Sequence, residues 1–249
     1  MTTRADCAPS PYAAGARPLF LLLALVGVEP IAGAVPVFTT QAELKTALTA
    51  SFNEGWNGLC PGQQDGHALG LWDVSKVTNM DNLLRSKNKF NQDISSWDTS
   101  AVISMVSMFK DCTDFNQNLS AWDVSAVADM SYMFQTATSF DCDIFSWNTT
   151  KVTKMEEMFA YTTIYNQDIS AWDVSSVTTF SYMFYSAPSF NQDLSPWRIQ
   201  TSTNLDGMFC KATSFSQILC SENWWSHTGS ATNTFKDTYS AGKCTIPSG

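Results

Sequence analysis

The sequence predicts an α/β repeat solenoid, a right-handed coil with a parallel β-sheet on one face and short helices on the other. Three ladders of equal period support this prediction, and the first is a tryptophan that recurs every 25 residues. Its positions are Trp72, Trp97, Trp122, Trp147, Trp172 and Trp197. The second ladder is a Met-Phe pair from Met108-Phe109 to Met208-Phe209, and the third is an aromatic residue from Phe90 to Phe215.

The two halves of one repeat differ in pattern. Leu119, Trp122 and Val124 have the L-x-x-L-x-L spacing of a leucine-rich repeat strand. Apolar residues then recur at the spacing of a helix face, with Ser125 as its candidate N-cap: Val127, Met130, Met133, Phe134 and Ala137. Each repeat is therefore predicted to be a strand followed by a short helix, with successive coils about 4.8 Å apart.

A single repeat of this kind cannot bury its apolar face alone, so equivalent aromatic rings are expected to stack from coil to coil. Upstream, Thr40 and Glu43 have the spacing of a capping box and predict a helix that runs through Leu48. Downstream, Trp224-Trp225 and Phe235 depart from the period of the array. The tail is therefore predicted to be an irregular closing cap.

The predicted organisation begins with a signal peptide over residues 1–34, recognised by the apolar run from Leu19 to Val28 and by Ala32-Gly33-Ala34. An N-terminal helical cap and loop over 35–70, six repeats over 71–220 and a C-terminal cap over 221–249 follow. The apolar run is shorter than the about 20 residues of a bilayer span, and a short membrane anchor is the alternative. We expect a secreted or cell-surface protein that begins at Val35, with no membrane span after cleavage.

Composition narrows the class of partner. Hydrophobic residues make up 44% of the chain and charged residues 15%, which predicts a folded core. The net charge of −9 disfavours nucleic acid and anionic membranes as partners. No cofactor is expected, and His67 and His227 are too far apart in sequence for a zinc site of the usual spacing.

Six of the seven cysteines follow the predicted signal peptide, and an exported chain permits disulfides without fixing their pairing. Cys220 and Cys244 flank the tail and are the favoured pair. Cys112 stands where the next repeat has Ala137, so we expect a buried free thiol there.

Acidic residues also recur in columns. Asp73, Asp98, Asp123 and Asp173 are predicted to point outward from the sheet face, where they are candidate ligand-binding residues. A second column precedes the inward Ile or Leu: Asp93, Asp143, Asp168 and Asp193. The favoured interpretation is that each carboxylate caps an Asx turn. The alternative is calcium held at Asp73, Asp98 and Asp123.

Two asparagines, Asn118 and Asn148, interrupt these columns. Both lie in sequons and are candidate glycosylation sites, although isosteric replacement of aspartate is the favoured interpretation. A glycosidase-like carboxylate pair is disfavoured because a ladder of equivalent acids lacks one unique site.

The motif Trp-Asp-Val-Ser-x-Val-Thr-x-Met from Trp72 to Met80, followed by Met-Phe and Phe-Asn-Gln-Asp-Ile-Ser, resembles the BspA-like leucine-rich repeat surface proteins of the DUF285 repeat group. The resemblance covers about residues 38–220 and departs at Arg198, Ile199 and Gln200. It implies a leucine-rich-repeat-like solenoid, export and surface display, and for some members adhesion to host or matrix proteins. It brings no catalytic residue.

The sequence therefore predicts a non-catalytic recognition or adhesion scaffold that binds an extracellular protein or glycan through the solenoid surface. The alternative is a structural component of an extracellular wall or matrix with no discrete ligand. A hydrolase is disfavoured because neither histidine lies within the array and no nucleophile elbow is present.

Overall fold

The computed structural model describes residues 36–53, 69–219 and 221–238. Its helices are α1 (Gln41–Asn53), a 3-10 turn (Leu69–Leu71) and the single-turn α2 (Glu222–Trp225). No helix within these residues is long and apolar enough to cross a membrane. Between the 3-10 turn and α2 the chain consists of tight turns and extended segments that repeat with the sequence.

Helix α1 covers the first repeat and begins as the sequence predicts. The N–H groups of Thr39 and Thr40 donate to the Glu43 carboxylate at 2.9 and 3.2 Å, and the Glu43 N–H donates to Thr40 Oγ1 at 3.3 Å. These bonds from Thr39 and Thr40 lower the pKa of Glu43. Leu44 and Leu48 are buried on one side of the helix. The predicted capping box is confirmed.

The predicted α/β class is wrong, because residues 72–219 contain neither a helix nor a strand or sheet. The segment 127–137, predicted to be helical, forms consecutive turns in which Tyr132 and Thr136 both have φ of 62°. Left-handed residues of this kind cannot lie inside a right-handed α-helix.

The hydrogen bonds explain why no helix forms. Alternate N–H groups donate to the following repeat: Met130 to the Lys154 carbonyl (3.0 Å), Tyr132 to Glu156 (2.7 Å) and Phe134 to Met158 (3.0 Å). The N–H groups between them close turns: Ser131 donates to Asp129 Oδ1 at 3.0 Å and Met133 donates to the Met130 carbonyl at 3.2 Å. An N–H group that donates in this way cannot also make the bond to the carbonyl of residue i−4 that defines an α-helix. The apolar residues are nevertheless fully buried: Met130, Met133, Phe134 and Ala137. Consecutive turns therefore bury residues at the same spacing as one face of a helix would.

The predicted strand fails for a related reason. Turn bonds close at both ends of the segment, from the Trp122 N–H to the Leu119 carbonyl at 3.0 Å and from Val127 to Val124 at 2.9 Å. Pairing with neighbouring repeats is reduced to one isolated parallel bridge per repeat. These bridges join Asn79, Ser104, Asp129, Lys154, Thr179 and Asn204 in succession. A ladder of single bridges between turns is not a sheet.

Aromatic rings at equivalent positions stack between successive repeats, as the sequence predicts. Trp97 and Trp122 have ring centroids 6.4 Å apart and planes within 5° of parallel, and Phe109 and Phe134 are 5.4 Å apart and within 1°. Each tryptophan from Trp97 to Trp197 also donates its Nε1–H to a carbonyl 28 residues earlier, as from Trp122 to Ile94 at 3.1 Å. The Nε1 of Trp72, the first of the series, is buried without a partner.

The chain beyond the sixth repeat returns to the same packing with a slightly longer period. Trp224 donates its Nε1–H to the Leu194 carbonyl at 3.0 Å, and Phe235 stacks on Phe209 at 5.6 Å. The N–H groups of Leu205, Gly207, Phe209 and Lys211 donate to carbonyls between Ser230 and Lys236 at 2.7–2.9 Å. The departure of Trp224 and Phe235 from the 25-residue spacing therefore does not remove them from the aromatic ladders.

Candidate functional site

The first acidic column forms Asx turns. Oδ1 of Asp73, Asp98, Asp123 and Asp173 accepts the N–H of the serine two residues on, at 2.9–3.0 Å. The serine hydroxyl also donates to Asp73, Asp98 and Asp173 at 2.6–2.7 Å. Hydrogen bonds from these serines lower the pKa of Asp73, Asp123 and Asp173. The favoured turn-cap interpretation is confirmed for these residues.

The second column is built in the same way. Asp93, Asp143, Asp168 and Asp193 each accept a backbone N–H two residues on at 2.8–2.9 Å. Asn118 accepts the Ser120 N–H at 2.9 Å, and Asn148 accepts the N–H and hydroxyl of Thr150 at 3.2 and 2.6 Å. An amide oxygen thus replaces a carboxylate oxygen without loss of the turn. Glycosylation of Asn118 and Asn148 stays a prediction.

Within the described ranges, no three side chains of the metal-ligating types come together as a metal site. Asp73, Asp98 and Asp123 each have one oxygen committed to a turn, and calcium at these positions stays a prediction. His67 lies outside the described residues, and Nε2 of His227 lies 2.6 Å from the Thr203 carbonyl oxygen.

Three cysteines within the described residues are free thiols: Cys112, Cys142 and Cys210. Cys112 is fully buried, as the sequence predicts, and its Sγ lies 3.1 Å from the Leu84 carbonyl oxygen. Burial raises the pKa of this thiol to about 12. Cys220 and Cys244, the favoured disulfide pair, lie outside the described residues.

The surface with the most irregular side chains lies on the turns, where the sequence analysis placed no candidate. We define the turn face as the side chains at the repeat positions of Tyr132, Gln135 and Thr136. The first of these positions changes in almost every repeat: Asn82, Ser107, Tyr132, Glu157, Tyr182 and Gly207. The tryptophan position, by contrast, is identical in all six repeats.

Two exposed tyrosines, Tyr161 and Tyr182, and the half-buried Tyr185 gather at one place on the turn face. Together with Gly207 and Lys211 we call this group the tyrosine patch. Tyr185 meets Tyr161 at 5.3 Å between centroids and 74°, and it meets Tyr182 at 5.7 Å and 76°. Tyr161 and Tyr182 remain 45% and 41% exposed. Lys211 Nζ lies 5.3 Å from the Tyr185 ring centroid, within cation–π range.

Gly207 makes room for one of these rings. A Cβ atom at Gly207 would lie 2.3 Å from Cε1 of Tyr182, closer than side chains approach one another. Its φ of +61° does not itself require glycine, because Ser107 and Tyr182 adopt φ of 56° at the same repeat position. The glycine is therefore explained by the Tyr182 ring that lies across it.

Charged groups of both signs flank the patch on the side of the preceding repeats. Lys110 Nζ lies 5.3 Å from the Tyr132 ring centroid, and Gln135 Nε2 donates to Glu157. Burial and the neighbouring Glu156 raise the pKa of Glu157. Burial, Tyr185 and Glu157 raise the pKa of Tyr161, which connects this flank to the patch.

The residues of this site could have been found in the sequence, because they do not recur in every repeat. The aromatic ladders are recognised by residues that recur. Tyr161, Tyr182 and Tyr185 instead stand at positions whose residue type varies between repeats. Ser186, Ser107 and Ala160 occupy the equivalent positions elsewhere. Removing the recurring residues from the sequence and inspecting the remainder would have isolated the tyrosines, although not their contact.

Comparison with known proteins gives one match to a family. The family described as "Mycoplasma protein of unknown function, DUF285" matches residues 48–163 and 142–244. No curated protein and no solved structure matches the chain. The matched segments overlap and together cover most of the chain, including all six repeats. The chain therefore belongs to the DUF285 family.

Proposed function

We propose that this chain is a non-catalytic recognition scaffold, secreted or displayed at the cell surface, that binds an extracellular protein or glycan through the tyrosine patch. One observation carries the proposal: repeats that are otherwise nearly equivalent gather their exposed tyrosines at a single place on the turn face. A purely architectural repeat has no need for such a local exception.

The chemistry of the patch suits recognition. Tyrosine offers a large rigid contact area at low cost in side-chain entropy, together with a hydroxyl group for hydrogen bonding. The edge-to-face packing of Tyr185 against Tyr161 and Tyr182 holds the rings before a ligand arrives. Preorganisation of this kind lowers the entropic cost of binding.

The proposal moves the binding surface away from Asp73, Asp98, Asp123 and Asp173. Each of these carboxylates holds its own turn through Oδ1, so its recurrence has a structural cause. The turn face needs no side chain to pair its backbone, since its N–H groups bond to backbone carbonyls of the next repeat or of the same turn. Side chains there are free to serve a ligand.

Export and surface display belong to the same proposal. The support is the apolar run from Leu19 to Val28 followed by Ala32-Gly33-Ala34, and the resemblance of the repeat motifs to BspA-like leucine-rich repeat surface proteins. N-terminal sequencing of the exported protein is expected to begin at Val35. Residues before Leu19 on the secreted form would contradict cleavage at this point.

The test is a pull-down of the protein from Val35 to Gly249 against its own cell-surface fraction. A Tyr182→Ser, Tyr185→Ala double variant uses residues that the chain itself has at these positions, Ser107 and Ala160. We expect the double variant to lose the partner, whereas Asp123→Asn, which imitates Asn148, retains it. Equal capture by all three proteins would contradict the proposal. Concentration-dependent self-association without any captured partner would favour the structural alternative.

A further inference from the structure

We infer that the tyrosine patch takes a neutral, hydroxyl-rich oligosaccharide. The inference rests on the proposed function and narrows its partner to one chemical class. The evidence is the kind of side chain in the patch, the mixture of charges around it and the way in which Gly207 holds the Tyr182 ring in place.

Most of the side chains at the patch and its flank combine a contact surface with a polar end. Tyr161, Tyr182 and Tyr185 present ring surface and hydroxyl groups, while Lys211 and Glu157 add a hydrogen-bond donor and an acceptor. A sugar ring has the complementary character, because its C–H groups pack on an aromatic ring while its hydroxyls both donate and accept hydrogen bonds.

The orientation of the rings favours an extended ligand. Tyr161, Tyr182 and Lys211 come from three successive repeats, so the patch runs along the direction in which the repeats stack. Tyr185 stands nearly perpendicular to both other rings. Ring surfaces therefore face in more than one direction, as contact with several linked sugar rings requires.

Charge argues for a neutral ligand. Charged side chains of both signs surround the patch: the lysines Lys110 and Lys211, and the glutamates Glu156 and Glu157. The whole chain carries a net charge of −9, which repels acidic polysaccharides. A basic partner would be drawn instead to the Asx turns, where unpaired carboxylates such as Asp123 and Asp143 are exposed.

Gly207 gives the inference a residue that sets the geometry without supplying contact area. Serine is acceptable at this repeat position, as Ser107 shows with φ of 56°. A side chain at residue 207 would meet Cε1 and Cδ1 of Tyr182 and displace the ring. Gly207→Ser should therefore weaken sugar binding while every tyrosine is still present.

The experiment is calorimetric titration of the protein from Val35 to Gly249 with hexasaccharides of β-1,4-glucose, β-1,3-glucose and β-1,4-mannose, and with a uronic-acid oligomer of equal length. We expect at least one neutral oligomer to bind with Kd below about 1 mM and the uronic-acid oligomer to bind at least about tenfold more weakly. Tyr182→Ser and Gly207→Ser should each weaken binding by about tenfold or more, whereas Asp123→Asn leaves it unchanged. Urea midpoints of all variants establish that each is folded.

Three outcomes would overturn the inference, and they differ in whether the proposed function still holds. If no neutral oligomer binds but the pull-down still finds a partner that depends on Tyr182, the proposed function holds and the occupant is a protein. If no oligomer binds and the pull-down finds no such partner, both proposals fail. Neutral binding that is unaffected by Tyr182→Ser and Gly207→Ser would place the sugar elsewhere on the molecule and also overturn the inference.

Discussion

The Asx turns and the turn face belong to the same repeats and differ in what their side chains do. At the Asx turns a side-chain oxygen satisfies a backbone N–H, so aspartate or asparagine returns in five of the six repeats, as at Asp123 and Asn148, and Arg198 stands at this position in the sixth. On the turn face the backbone satisfies itself, for example from the Tyr132 N–H to the Glu156 carbonyl at 2.7 Å. Recurrence in a repeat protein therefore marks side chains that complete the backbone or the core.

A second recurring residue supports the same lesson. Four of the six ladder aromatics are followed by an asparagine, which accepts the N–H of the residue 25 positions later, as from Asn116 to Asn91 at 2.9 Å. Asp141 takes this place in one repeat and still accepts, from Asn166 at 3.2 Å. A position whose side chain accepts this backbone N–H can hold Asn or Asp, because both have a side-chain oxygen. The turn-face positions have no such requirement for a side-chain acceptor.

The largest expected effect is in the core that both regions share. Trp122→Ala removes a buried ring stacked on Trp97 and the Nε1–H bond to the Ile94 carbonyl, which then keeps only the Trp97 N–H. We expect a loss of about 3–5 kcal/mol in the free energy of unfolding, measured by urea titration. Asp123→Ala, one residue on, should cost about 0.5–1.5 kcal/mol through the lost turn bond. Equal losses in the free energy of unfolding would contradict this prediction, which rests on the burial of Trp122.

The next largest expected effect concerns a buried hydroxyl group. Removing it and adding another should change the free energy of unfolding in different directions. Tyr165 stacks between Phe140 and Phe190, and its hydroxyl is buried with no hydrogen-bond partner among the described residues. Tyr165→Phe should leave the free energy of unfolding unchanged or raise it by about 1 kcal/mol. Phe140→Tyr should lower it by about 1–3 kcal/mol, because it creates a second buried hydroxyl. A destabilising Tyr165→Phe would show that the hydroxyl is hydrogen-bonded in solution.

The Asx turns should make stability depend on acid. The pKa values of Asp73, Asp123 and Asp173 are lower in the folded chain than in the unfolded chain, where aspartate titrates near about 3.9. Their contribution is therefore full above about pH 4 and is lost as the pH falls through the folded values. Urea midpoints from about pH 7 to about pH 2 should decline more steeply in the wild-type chain than in Asp123→Asn. A steeper decline in Asp123→Asn would contradict this assignment.

The smallest expected effect is that of calcium on the melting temperature. Asp73, Asp98 and Asp123 have one oxygen each committed to a turn, so we expect no change on adding millimolar calcium or chelator. A bridging ion at a hundredfold excess over its Kd would add about 2.7 kcal/mol. A shift with calcium but not with magnesium, abolished by Asp98→Asn, would establish the alternative that these columns hold metal.

Several parts of the molecule follow directly from the sequence. The Thr40–Glu43 capping box, the stacked tryptophans and the buried thiol of Cys112 were all predicted, because each depends on local chemistry or on strict recurrence. The strand predicted at Leu119–Val124 and the helix predicted at 127–137 were wrong, because both periodicities have a second structural solution. Apolar residues spaced as on a helix are equally buried by consecutive turns that bond to a neighbouring repeat.

The sequence by itself determined which residues are buried, where the repeats begin and end, and which side chains satisfy their own backbone. Only the tertiary structure decided where the backbone N–H groups of each repeat are used, and that choice replaced helix and sheet with turns. It also decided that Tyr185 contacts both Tyr161 and Tyr182, and that the Tyr182 ring lies across Gly207 of the next repeat. The physical reason is that a hydrogen bond or ring contact between repeats depends on how the repeats stack, which the composition of one repeat does not fix.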